Sequence, residues 1–177
     1  MNTLSDIFAG LDDTSDLTPG KPADPAFEAA ETDDDGGAKI ADIEAIRTFV
    51  LGGKATFTLR SLKTGTRFTY RVQVIDGGEI AFVSLLTGSD NEANYSYFAN
   101  IRPRNLSYWH GKKAKVHEGA LGPQAFAWFW SKLQRRSPMP ELEFWHSGAC
   151  ARCGRRLTVP SSIASGFGPE CATKIGF

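Results

Sequence analysis

All three cysteines of this 177-residue chain fall near its C-terminus, and a histidine precedes them in the order His146-x3-Cys150-x2-Cys153-x17-Cys171. That is ligand spacing for a closed tetrahedral zinc site, with two sulfurs on a knuckle and a third at the start of a final helix. Gly154 frees the backbone to turn both knuckle sulfurs toward one ion. Pro169 opens the helix that carries Cys171, where N-terminal amides favour a thiolate. Four protein ligands leave no place for water, so such a site holds structure rather than doing chemistry. The competing reading is three reduced thiols in a small core, with His146 packed beside Trp145. A disulfide framework is disfavoured by the odd count and the absence of a secretory signal.

Formal charge sums to zero but is segregated along the chain. Residues 1–39 carry ten acids against two lysines, and residues 40–177 carry eighteen Lys and Arg against ten acids. An acidic tail on a basic body is expected to act on the body's partners or to aid solubility. The tail is poor in large apolar residues after Leu17 and is expected to be disordered. Leu4, Ile7, Phe8 and Leu11 form one apolar helical face near its start, a segment that could fold onto a host or phage protein. No apolar run is long enough to span a membrane, and the N-terminus shows no export signal, so a cytoplasmic location is expected.

The body reads as an α+β domain over 40–138, a mainly antiparallel sheet with flanking helices, followed by a small zinc module over 139–177. Ile43, Ile46 and Val50 share a helical face that Gly52-Gly53 ends. Ala55, Phe57 and Leu59 alternate with Thr56, Thr58 and Arg60. Across a turn, Phe68, Tyr70 and Val72 alternate with Arg67, Thr69 and Arg71, which predicts a hairpin with one buried face. Further strands are expected at Ile80–Leu86 and Tyr95–Ile101, with edges at Leu106–Trp109 and Ala114–Val116. Gly122-Pro123 opens a helix with Phe126, Phe129, Trp130 and Leu133 on one side. Leu142–Trp145 reads as extended.

The run Cys150-Ala-Arg-Cys153-Gly154-Arg155-Arg156-Leu157-Thr158-Val-Pro160-Ser-Ser-Ile163-Ala-Ser-Gly166-Phe-Gly168-Pro169-Glu-Cys171 resembles an uncharacterised zinc-module family found at the C-termini of phage and prophage proteins. The resemblance implies a treble-clef-like zinc fold and a phage setting. It brings no activity with it.

Four basic clusters carry the chemistry expected of the surface. The wet face of the hairpin offers Arg60, Arg67 and Arg71 among threonines, groups that contact phosphate oxygens. Tyr108-Trp109-His110-Gly111-Lys112-Lys113-Ala-Lys115 sets aromatics beside lysines, as single-strand binders do. Arg135-Arg136 form a third cluster, and Arg152, Arg155 and Arg156 sit on the knuckle. If they converge they form a cationic track for single-stranded or duplex nucleic acid, and if they scatter they are ordinary solvated positions.

No catalytic signature is complete. A zinc deaminase needs H-x-E and P-C-x-x-C, whereas His146 is followed by Ser147-Gly148 and no proline precedes Cys150. Gly52-Gly53-Lys54 lacks the register of a phosphate loop. The chain is therefore expected to be a zinc-containing, nucleic-acid-binding accessory protein and not an enzyme. The alternative is an interaction factor, such as an inhibitor of a host enzyme or defence complex, working through its acidic tail or basic surface.

Overall fold

The computed structural model of the chain describes residues 37–175. The tail expected over 1–39 lies outside them except for its last residues, and the Leu4–Leu11 face lies outside altogether. Those last residues form a short strand, β1 (Ala38–Ile40). Helix α1 (Ile43–Val50) follows, started by Asp42, whose carboxylate accepts the Ala45 N–H at 2.7 Å. This is the N-cap geometry that satisfies an otherwise unpaired helix-start donor.

The predicted hairpin is present as β2 (Lys54–Ser61) and β3 (Arg67–Ile75), paired with Thr58 opposite Thr69 and Arg60 opposite Arg67. Strands β4 (Ile80–Leu86), β5 (Tyr95–Arg102) and β6 (Ser107–His110) continue the meander. Helix α2 (Leu121–Arg135) crosses back, and β7 (Leu142–His146) pairs antiparallel with both β1 and β2. The resulting seven-stranded antiparallel sheet runs β1-β7-β2-β3-β4-β5-β6. Residues 142–146 are thus an interior strand of the main sheet. The expected edge at Ala114–Val116 is not a strand. Ala114 turns back to donate to the Gly111 carbonyl, and Lys115 N–H reaches the Tyr97 carbonyl.

Strand alternation gives the sheet two chemically different faces. On the inner face Phe57 stacks on Phe144 at 4.7 Å between ring centroids, and Tyr70, Phe98 and Tyr108 meet Phe126 of α2. Phe49 of α1 packs against Phe144 and His146. Burying each such apolar ring contributes about 1.5–3 kcal/mol. The fully buried Tyr70 donates its hydroxyl to the Gly122 carbonyl at 2.8 Å. A side chain at Gly122 would run into Leu85, so this glycine lets α2 sit close on the sheet.

The register between β4 and β5 shifts where Val83 opposes Ala99 but Ser84 opposes Tyr97. Phe98 is the extra residue of this bulge. Phe98 and Ala99 are both buried in consequence, while Tyr97 and Asn100 stay on the outer face. Both long helices pack on the inner face. The outer face carries no helix among the described residues, and along the hairpin it presents Lys54, Thr56, Thr58, Arg60, Arg67, Thr69, Arg71 and Gln73.

After β7 the chain forms a tight knuckle, then α3 (Pro160–Ser165) and α4 (Pro169–Ile175). Ala149 bridges Arg156, and Gly166 at φ 76° ends α3. Cys150, Ala151, Leu157 and Phe167 are buried in the same hydrophobic core as the sheet. The ligand-bearing turn is fixed to the domain through that shared core.

Candidate functional site: a cysteine cluster beside a cationic trough

The knuckle folds because its backbone bonds close on themselves. Cys150 N–H donates to the Arg155 carbonyl, and Gly154 N–H to the Cys150 carbonyl, each at 2.8 Å. Gly154 adopts φ 78°, a left-handed conformation that favours glycine. The turn into α4 then delivers Cys171, and the sulfurs of Cys150, Cys153 and Cys171 all lie within 4.8 Å of one another. Three sulfurs tetrahedrally bound at 2.3 Å would stand about 3.8 Å apart, so the cluster matches the size of a metal site. It could hold a metal ion.

The electrostatics favour a thiolate at Cys150. Burial pushes this thiol up, but the amides of Gly168, Cys153 and Arg152 and the Cys153 thiol outweigh it and bring it down to about 7. Burial and the two neighbouring sulfurs push Cys171 up to about 11. One negative charge is welcome in the cluster and further ones call for a cation.

His146, expected as the fourth ligand, stands apart from the three sulfurs in this structure. No histidine or carboxylate of the described residues lies with the three sulfurs. Parity along β7 sends His146 inward, where it is 1% exposed. Its Nδ1 accepts the Gly148 N–H at 2.9 Å, so the ring proton sits on Nε2 and is donated to the Ile163 carbonyl at 2.7 Å. Both nitrogens are committed to the backbone.

On the outer face, Arg60, Arg67 and Arg71 of the hairpin are brought together with Lys54 of β2 and Arg156 of the knuckle around an open trough of about 1100 Å³. Threonines 56, 58 and 69 also line it, and Thr58 and Thr69 share a hydroxyl hydrogen bond at 2.8 Å. Trp145 lines it on the β7 side and Tyr95 on the β5 side. Arg71 lies 3.8 Å over the Tyr95 ring and donates to the Glu92 carbonyl at 3.1 Å.

Two acids temper this charge: Glu92, which lines the trough, and Glu143 beside it. Glu143 accepts from Lys39 at 3.1 Å, from Arg60 at 3.4 Å and from the Trp145 indole at 3.2 Å. Burial raises its carboxyl, but Lys39, Trp145 and Arg60 together hold it below its ordinary value.

The other expected positions fall elsewhere. Arg152 and Arg155 are exposed on the knuckle, and Arg155 lines a smaller pocket over the sulfurs instead of the trough. Tyr108 is half-buried and faces inward against Phe126, packed on the core side of the sheet, and burial pushes its hydroxyl up to about 12. Trp109 points outward at the far edge of the sheet, 5.0 Å beneath the Arg102 guanidinium. Lys112, Lys113 and Lys115 are exposed in the loop after β6, three strands away from the hairpin. Arg136 pairs with Glu44 of α1 at 2.9 Å, on the side of the helices.

Lys54, Tyr95 and Trp145 were not anticipated. Lys54 has the parity of Thr56 and Arg60 and was open to the same alternation argument. Trp145 joins the trough only because β7 pairs with β2, a contact made across more than eighty residues.

A family model described as a family of unknown function (DUF6011) matches residues 141–176, the stretch from β7 through all three cysteines. No curated protein and no solved structure matches the chain.

Proposed function

We propose that this protein binds single-stranded nucleic acid across the outer face of its sheet. The observation that carries the reading is the convergence of Lys54, Arg60, Arg67, Arg71 and Arg156 on one trough flanked by Trp145 and Tyr95. Guanidiniums and hydroxyls in a concave track neutralise and hydrogen-bond phosphates, and aromatic rings at its sides stack unpaired bases. Zinc at Cys150, Cys153 and Cys171 has a structural part in this account: it fixes the knuckle that brings Arg156 to the trough. The acidic tail competes for the same cations and weakens binding. On the resemblance of the 150–171 run alone, the setting is that of a phage accessory protein.

The test is anisotropy of a labelled single-stranded oligonucleotide against protein at several salt concentrations. Affinity that falls steeply with salt, and falls further in an Arg67→Glu, Arg71→Glu variant, is the expected result. Equal affinity in the variant and the parent protein would refute the trough as the binding surface.

A further inference from the structure

We propose that a metal ion held by Cys150, Cys153 and Cys171 keeps its fourth coordination position open to an exchangeable small ligand. The inference rests on reading the three cysteines as metal ligands and concerns what completes their set. Sequence spacing had pointed to a closed four-ligand site, but the histidine that would close it is spent on the Gly148 and Ile163 backbone. Among the described residues no other histidine, cysteine or carboxylate stands with the three sulfurs.

A pocket of about 230 Å³ opens directly onto the cluster, with all three cysteines in its wall. A metal bound by three protein ligands that faces a solvent-filled pocket takes water or another small donor as its fourth ligand. Formal charge supports access. A divalent ion with three thiolates carries one net negative charge, and Arg155 and Arg156 in the pocket wall offset it. A neutral nitrogen donor fits this position and defines the probe.

Among the described residues the rival is Glu170. It lines the pocket next to Cys171 but is exposed, and its carboxylate lies outside the sulfur cluster. If it swung onto the metal, the position would be closed.

The experiment uses the full-length chain loaded with cobalt(II), whose visible bands report ligand number and type. Imidazole is then titrated in. The expected result is a saturable shift of the ligand-field bands while the thiolate-to-cobalt charge-transfer band persists, with the same response in Glu170→Gln. A spectrum indifferent to imidazole would overturn the open position while leaving the metal reading intact. So would a Glu170→Gln variant whose ligand-field bands already differ from the parent's before imidazole is added. Failure of the protein to take up cobalt at all would overturn both readings.

Discussion

The Nε2–H of His146 donates to the carbonyl of Ile163 at 2.7 Å, tying an interior strand of the sheet to the short helix that precedes Cys171. With Nδ1 accepting from Gly148, this one ring links β7, the entry to the knuckle and α3. His146→Ala leaves the buried Gly148 N–H without its partner, leaves the Ile163 carbonyl only its longer bond from Gly166 at 3.3 Å, and opens a gap beside Phe49. The expected cost is about 2–4 kcal/mol, read as a lowered denaturant midpoint. Metal content per chain should stay unchanged in the folded variant, since both ring nitrogens are bonded to the backbone.

Metal removal acts on a different part of the molecule. Cys153→Ser should abolish stoichiometric metal binding, and a chelator should lower the melting temperature of the parent protein but not of the variant. Because Cys150 and Leu157 share the main core, the sheet should persist in both cases, seen as retained far-ultraviolet dichroism.

Proton release accompanies that binding. Without metal the Cys171 thiol is raised to about 11 and is protonated at neutral pH, whereas Cys150 is lowered to about 7. Metal uptake at pH 7 should therefore release at least the Cys171 proton. Calorimetry in buffers of different ionisation enthalpy measures it, and metal affinity should rise with pH as the thiols ionise.

Glu143 gives a test in which stability and binding move in opposite directions. Its folded-state pKa lies below the ordinary value of 4.5. The stability it contributes is thus present above about 4.5 and is lost as pH falls through the lower, folded value. Glu143→Gln should cost about 1 kcal/mol at pH 7 and almost nothing at strongly acid pH, checked by urea unfolding at each. The same change releases Lys39 and Arg60 from their acid and should tighten oligonucleotide binding.

Local pattern made much of this legible in the sequence. Alternation in 55–60 and 67–72 set the hairpin and the side on which its arginines lie, and the i, i+3, i+4 spacing from Phe126 to Leu133 set the inner face of α2. Cysteine spacing set the sulfur cluster. What escaped depends on non-local pairing. The insertion of β7 between β1 and β2 places Trp145 outward and His146 inward, and no short window of sequence encodes that register. The inward face of Tyr108 is illegible for a related reason: in a four-residue edge strand, the pairing of Tyr108 with Ile101 and of Trp109 with Asn100 decides which side chain faces which side.

The far-edge lysines supply an internal control. Lys112→Glu with Lys113→Glu and Lys115→Glu removes more positive charge than the Arg67→Glu, Arg71→Glu pair does, but three strands away from the hairpin. Binding in this triple variant should weaken only modestly, through long-range screening-sensitive attraction. A Trp145→Ala change should cost about 1–3 kcal/mol of binding, in the range of one lost stacking contact.

The most direct measurement is the salt dependence of single-strand binding by the parent protein and by the Arg67→Glu, Arg71→Glu variant. The account predicts a linear fall of log affinity with log salt, and for the variant both weaker binding and a shallower slope, by about 0.7 per lost phosphate contact. Identical slopes and affinities in the two proteins would contradict it.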